Sequence, residues 1–363
     1  MTDILVFTDP HLGKNLVSHT TLDSRRRLRD GIYQHNSGLL DRFPHAIKTC
    51  LGDLFDRFTN PEDVIWQGMS LAERVDYIMA GNHDLVNDRG RLGTLQLMDK
   101  ARPGVIQLTP FGEARGFLHD VRPGVSFLFI PHHSTDDLFH ESLAAAENWV
   151  RGKAPGTTAY LCVHCNYDSG FATDDTALSL SRKQAKQLLD AGFDYILVGH
   201  DHHPREDWDG RVVILGNTHP TGFGDITDKR VMLIRPDGKH EFHQVWYRDS
   251  GYLHLDVNDL VAPDFDFDED RGAQFIEISG ELQASQVMDL ARAVRKIWQS
   301  WAPLAVRNTA EVIKPGTGET LADHDFHQLD MQIRAELIKR PELVELFDAF
   351  WAETAPAMQE EEA

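Results

Sequence analysis

Five short clusters of ligand-type residues punctuate the first two thirds of the chain. They are Asp9-Pro10-His11, Gly52-Asp53-Leu54-Phe55-Asp56, Gly81-Asn82-His83-Asp84, His164, and Gly199-His200-Asp201-His202. Carboxylate, amide and imidazole groups are the donors that hold divalent cations, with carboxylate oxygen suiting harder ions and imidazole suiting zinc, iron and copper. Taken singly, each cluster is weak. A lone Asp-x-His or Gly-Asn-His arises by chance, and one histidine at a strand end is more often a hydrogen-bonded surface residue. Five in succession, each following an apolar run, read as one metal-binding assembly.

Those apolar runs are the elements that must position the clusters. Residues 4–7, 46–51, 75–80, 127–130, 159–163 and 195–198 are short and continuously apolar, the pattern of strands buried on both faces. Each ends at a polar cluster, which is where open α/β sheets place their sites. Helical patterns at 25–40 and 179–191 lie between them, and 212–215, 231–235 and 241–246 read as further strands. The reading is an α/β protein. Near 261–271, Pro263 and the acidic residues Asp264, Asp266, Asp268, Glu269 and Asp270 interrupt the pattern and mark a boundary. Beyond it, 275–279 reads as a strand, the stripe Val287, Leu290, Ala291, Val294, Ile297, Trp298 and Trp301 as a helix, and 305–313 as another strand. The expected domains are 1–260, 272–320 and a helical segment at 321–356, followed by a disordered tail at 357–363.

Composition narrows the partners. The 363 residues carry 36 Lys plus Arg against 57 Asp plus Glu, a formal net charge of −21, which excludes a generally basic nucleic-acid coat. Three cysteines do not make a disulfide scaffold and point to a reducing compartment. No apolar run approaches the roughly 20 residues that span a bilayer, and the first residues lack a signal-peptide layout. The expectation is a cytoplasmic protein with no membrane association.

The five clusters resemble the signature blocks of the calcineurin-like metallophosphoesterases over roughly residues 1–247. The resemblance implies a four-layer α/β/β/α sandwich and two divalent metal ions, with manganese the leading candidate and magnesium, iron or zinc as alternatives. Carried over by position, it assigns one metal to Asp9, His11, Asp53 and His202, and the other to Asp53, Asn82, His164 and His200, with Asp53 bridging. An anionic bridge can hold two dications about 3.5–4 Å apart, and such a pair clamps a phosphate and stabilises the charge built up in an in-line attack. His83 is then the catalytic residue that stabilises or protonates the leaving oxygen, with Asp84 as its orienting partner. Asp56 reads either as a support for the ligands or as a helix cap.

Further blocks resemble SbcD-type nucleases, the group that includes the eukaryotic meiotic recombination nuclease. Asp9-Pro10-His11-Leu12-Gly13 is similar to their Asp-x-His-Leu-Gly, and Gly52-Asp53-Leu54-Phe55-Asp56 to their second block. Phe129-Ile130-Pro131-His132 resembles the strand that precedes their substrate face. Leu215-Gly216-Asn217-Thr218, then Phe223-Gly224-Asp225 and Lys229, resembles a Pro-Gly-Ser … Ser-Phe-Gly-Glu … Lys segment, with Asn217-Thr218-His219 departing from the Ser-centred pattern. This implies a DNA nuclease, a capping role for the 272–320 unit, a homodimer, and docking of an SMC-like, SbcC-like coiled-coil ATPase by the C-terminal helices. A phage-encoded origin is compatible with it.

Other signals divide between bland and functional readings. Arg25 and Arg26, in a basic patch with Arg27, Arg29 and Lys14, read as a solvated helix face or as contacts to a phosphate backbone. His132 and His133 read as substrate-facing or as solvated loop residues. Cys162 and Cys165 form a C-x-x-C, but strand alternation sends them to opposite faces, against a redox pair. The rival functions are a metallophosphodiesterase or phosphatase acting on nucleotides or phosphoproteins, which the negative charge favours, and an inactive metal-binding scaffold.

Overall fold

The computed structural model describes residues 2–16, 22–86, 91–168, 178–267 and 272–313. The expected helical segment at 321–356, the tail, and the acidic residues Asp268, Glu269 and Asp270 lie outside the described residues. By contact, the described residues divide into one unit of 2–16 with 25–251 and a second that contains 252–313.

The first unit opens with β1 (Ile4–Phe7), α1 (Leu22–Arg42), β2 (Ile47–Cys50), α2 (Glu62–Ala72), β3 (Tyr77–Met79), α3 (Thr94–Ala101) and β4 (Ile106–Gln107). β5 (Phe117–Arg122), β6 (Val125–Ile130), α4 (Asp136–Arg151), β7 (Thr158–His164), β8 (Asn166–Tyr167), β9 (Ser179–Leu180), α5 (Arg182–Ala191) and β10 (Tyr195–Gly199) follow. β11 (Arg205–Asp207), β12 (Val212–Ile214), β13 (Lys229–Ile234), β14 (His240–Trp246) and the short α6 (Arg248–Gly251) complete it. Two six-stranded sheets result, ordered β14-β13-β1-β2-β3-β4 and β11-β12-β10-β7-β6-β5, with β8 and β9 paired separately.

The apolar runs form these strands because both of their faces are covered. Ile4, Val6, Leu51 and Met79 of one sheet meet Phe127, Phe129, Tyr160, Cys162 and Leu197 of the other in a shared inter-sheet core. The outer face of the second sheet packs Leu161, Val163 and Ile196 against Phe139, Leu143 and Val150 of α4 and Leu188 of α5. The expected α/β/β/α layering is present. Alternation places Cys162 in the inter-sheet core and Cys165 in the outer one, and neither forms a disulfide. Strands β1 to β4 run parallel, as do β6, β7, β10 and β12, so the ends of β1, β2 and β3 that lead into the ligand-type clusters share one edge of their sheet.

The second unit is built on β15 (Tyr252–Asp256), β16 (Phe275–Ser279) and β18 (Ala305–Asn308), all parallel, with α7 (Val257–Leu260) and α8 (Val287–Ser300). β17 (Glu281–Gln283) pairs with β19 (Glu311–Ile313). Leu290, Ala293 and Ile297 of α8 pack on Ile276, Ile278 and Val306. By contact the division falls at Gly251/Tyr252, where β15 begins its pairing with β16 in the second unit's sheet. One sequence expectation shifts. The single strand expected at 305–313 is two, β18 and β19, serving different sheets. Among the described residues, no helix is long and apolar enough to cross a membrane.

One buttress behind the site carries a titratable group. Asn36 of α1 accepts a hydrogen bond from the Thr218 hydroxyl (2.7 Å), tying the helix to the 217–219 segment. One residue away, the His35 ring stands edge-on to His219 at 5.0 Å, and its Nε2 is buried without a hydrogen-bond partner. Burial, reinforced by His219, pushes His35 down to about 3. The unfolded chain therefore takes up a proton near pH 6.5 that the folded chain refuses until about pH 3, so this group removes stability as pH falls through that window. Replacing His35→Gln is expected to make the fall in urea midpoint between pH 7 and pH 4.5 shallower than in the parent protein. Equal falls in both proteins would contradict this role.

Candidate metal centre

Four of the ligand-type residues sit in backbone conformations that side chains rarely adopt. Among the described residues, eight non-glycine residues have positive φ, and Asp9 (53°), His11 (47°), Asp53 (49°) and His200 (92°) are half of them. Such strain costs on the order of 1–3 kcal/mol per residue and persists only where the surroundings overdetermine it. Here the overdetermination is visible. The loops after β1 and β2 are laced together by hydrogen bonds from Asp9 N to Gly52 O (3.1 Å), His11 N to Asp53 O (3.0 Å) and Leu12 N to Leu54 O (2.9 Å). Two glycines allow the close approach. A Cβ on Gly52 (φ 109°) would lie 2.1 Å from His164 Nδ1, and one on Gly81 would lie 2.1 Å from Asp53 Oδ1.

The side chains converge in two overlapping groups. Asp9, His11 and His202 bring one ligand atom each within 4.8 Å of one another, as do Asp53, His164 and His200. Asp53 Oδ2 lies between them, 3.8 Å from His11 Nε2 and 3.4 Å from His164 Nε2. Asn82 Oδ1 is 3.1 Å from His164 Nε2 and 3.0 Å from His200 Nδ1. All seven sequence-derived ligand candidates are thus brought together. A third group, His11, Asp56 and His83, shares His11, and its carboxylate already pairs with Lys14 Nζ at 2.8 Å.

Buried polar atoms in the two groups are left for a cation. Asp9 is fully buried, and its Oδ1 has no hydrogen-bond partner, while Oδ2 accepts from Thr8 Oγ1 and His200 N. His11 Nε2 faces His202 Nε2 at 3.0 Å. Two like imidazole nitrogens at that distance share one proton, or turn their lone pairs to a common cation. The protonation pattern also calls for positive charge. Burial would raise the Asp53 carboxyl, but the His164, His11 and His83 rings hold it well below the usual carboxylate range. Burial likewise opposes protonation of His164, yet Asp53 raises that ring to about 9. The donor set fits a pair of divalent cations.

The surrounding residues fix the donors. His164 Nδ1 donates to Leu51 O at 2.8 Å, which orients Nε2 toward Asp53. His202 Nδ1 lies 3.3 Å from Asp225 Oδ2. Asp225 is itself held by Asn217 Nδ2 (2.6 Å), the Thr221 and Gly222 backbone amides (3.1 Å each) and Lys229 Nζ (3.8 Å). Lys229 is fully buried, and burial lowers it to about 8. Asp225 and Lys229 belong to the segment that resembles the nucleases, and their task in the site is visible only in the fold. Their separation of 23 and 27 residues from His202 carries no local periodicity to reveal it.

His83 and Asp84 do not form the expected pair. His83 Nδ1 donates to Asp56 O at 2.7 Å, which leaves Nε2 for other partners, and His83 N donates to Asp53 Oδ1 at 3.0 Å. Asp84, fully buried, instead accepts from the backbone amides of Leu54, Phe55 and Gly81 at 3.0–3.2 Å and so binds the second loop to the third. Burial and the neighbouring Asp53 raise it to about 7. Asp56 is pulled the other way. Burial would raise it, but His11 and Lys14 hold it at about 2. It supports His11 and His83 and caps no helix, since α2 begins after Pro61.

Of the expected substrate contacts, His132 is buried at 3% exposure, and burial with the His164 and His200 rings lowers it to about 3, so it is neutral. His133 is also buried rather than solvated, between Pro131 O and the Ser142 hydroxyl. Arg25 and Arg26 are exposed on α1. The open cleft beside His83, about 530 Å³, is lined instead by Asp56, Arg57, Phe58, Thr59, Asn82, His83 and Arg91.

Loss of the Asp225 carboxylate removes the group that orients His202. Asp225→Ala is expected to weaken manganese binding about 10–100-fold at one of two sites, read by isothermal titration calorimetry. Two unaltered sites in the variant would show that Asp225 does not orient a ligand.

Comparison with known proteins agrees with this geometry at the level of family. No curated protein sequence matches the chain. Among solved structures, TT1561 of Thermus thermophilus aligns with 68% of this chain and 99% of its own, at 10% identity and a TM-score of 0.39. Haemophilus influenzae NAD nucleotidase (NadN) aligns with 67% of this chain at 12% identity and a TM-score of 0.32. The alignment takes in 49% of NadN, so this chain spans about half the length of that protein. The calcineurin-like phosphoesterase profile matches residues 2–204, a stretch that ends just past His202. With more than half its length and every ligand-type cluster inside that match, the chain belongs to the calcineurin-like phosphoesterase family of metal-dependent hydrolases, which bind two divalent cations.

Proposed function

We propose that the protein is a two-metal-dependent nuclease that hydrolyses phosphodiester bonds at DNA ends, as the catalytic subunit of an SbcCD-like complex with a coiled-coil ATPase. The observation that carries this reading is the position of Asp53, whose Oδ2 lies within 4 Å of an imidazole from each donor group while its Oδ1 holds the His83 backbone. In this reading Asp9, His11, Asp53 and His202 would hold one cation and Asp53, Asn82, His164 and His200 the other. When bound, the cations supply Lewis acidity at the phosphate and an activated water.

The chain's own residues do the rest. Asp53 orients His83 through its backbone amide, and the Asp56 carbonyl fixes the ring so that Nε2 can donate a proton to the departing oxygen. His132, neutral and buried against the second group of donors, excludes water without adding charge. The Phe223-Gly224-Asp225 … Lys229 segment, on which the nuclease resemblance partly rests, supports the reading because it has a task here: it anchors His202. An open cleft edged by two arginines suits a polymer better than a small monoester.

The net charge of −21 favours the rival, a hydrolase of nucleotide phosphodiesters or phosphoproteins. A manganese-supplemented assay on end-labelled DNA, beside bis(p-nitrophenyl) phosphate, separates the two. The nuclease reading expects both substrates to be cut, with His83→Ala slowing DNA cleavage by about 10²–10⁴-fold at unchanged metal content. Cleavage of the small diester alone, with or without an ATPase partner, would favour the rival. Full DNA cleavage by His83→Ala would remove the histidine from catalysis.

A further inference from the structure

The cleft beside His83 contains chemistry that phosphoester hydrolysis alone does not call for. Arg57 and Arg91 are exposed, and among the described residues neither guanidinium pairs with a carboxylate. Arg91 lies over the Phe58 ring, 5.6 Å from its centroid, so a cation and an aromatic ring form one stacked pair in the lining of the cleft. The loop bearing Arg57 and Phe58 is tied to the start of α3, just after Arg91. Thr94 N donates to Phe58 O at 2.6 Å, and Asn60 Nδ2 donates both to Arg57 O (2.6 Å) and to Thr94 Oγ1 (3.2 Å). The one carboxylate in the lining, Asp56, is neutralised by Lys14 at 2.8 Å, so the cleft does not repel an anion.

We propose that this cleft is a leaving-group subsite that takes one unpaired nucleotide of a nucleic-acid strand. The base stacks on Phe58 and the Arg91 guanidinium, and Arg57 holds the adjoining phosphate. This deepens the nuclease reading and rests on it for one point, the side of the scissile bond: His83 lines the cleft, so what the cleft holds is what departs. The volume, about 530 Å³, falls in the range of small-ligand pockets and matches one nucleotide rather than a longer stretch of strand. Every base has a π face, so a stacking platform of this kind selects unpaired strands without selecting sequence.

The test is fluorescence anisotropy of a labelled oligothymidylate with the full chain in EDTA, where the strand is bound but not cut. Phe58→Ala and Arg91→Ala are each expected to raise Kd about tenfold, and Phe58→Trp to restore binding. Arg57→Gln is expected to lower the slope of log K against log salt by about one. An abasic strand is expected to bind the parent protein about tenfold more weakly and to be indistinguishable from the normal strand in Phe58→Ala. Equal affinity of the parent protein for normal and abasic strands, or no binding of either, would overturn the subsite, even if a variant failed to fold. Absence of manganese-dependent cleavage by a protein that shows the stacking signature would instead overturn the nuclease reading and leave the subsite standing.

Discussion

A carboxylate that is almost wholly buried must find positive charge, and Asp53 finds it on both sides. Its Oδ2 sits between the His11 and His164 imidazoles, and Asp9 stands as a second buried acid beside His11 and His202. Burying two anions this close is unfavourable unless protons or cations compensate them. The raised His164 and the depressed Asp53 describe the protonated compensation, and a pair of divalent cations is the other. The positive φ angles, the laced loops and the glycines at Gly52 and Gly81 all serve this concentration of like charge.

The architecture follows from that requirement. Parallel strands that end together deliver residues from distant parts of the chain to one edge, and two sheets packed face to face bring two such edges into register. The Leu51 carbonyl, at the end of one sheet, orients His164 at the end of the other. The inter-sheet core of Ile4, Val6, Phe127, Phe129 and Leu197 therefore bears directly on ligand geometry, because sliding one sheet would pull Asp53 from His164. Asp84 adds a second tie, binding loops from two strands through three backbone amides.

The convergence of the ligand-type residues was legible in the sequence because each cluster is contiguous and follows a run of residues buried on both sides. Asp9-x-His11 and His200-x-His202 each combine two donors in three residues, which no core requirement explains. What supports the donors was not legible. Asp84 adjoins His83 in the chain, which suggested a pair, yet the turn at Gly81 aims its carboxylate at backbone amides instead. Asp225 reaches His202 only through a long excursion whose ends the fold reunites. Arg57, Phe58 and Arg91 belong to two loops on either side of α2 and β3, and their proximity depends on the anchoring of Phe58 by Thr94.

The central claim is that two cations share the Asp53 carboxylate, and electron paramagnetic resonance of the manganese-loaded chain tests it most directly. A shared carboxylate predicts two manganese ions per chain with the exchange-coupled spectrum of a close pair, reduced by Asp53→Asn to the six-line signal of an isolated ion. A parent protein that shows only isolated-ion signals at full loading would contradict the account.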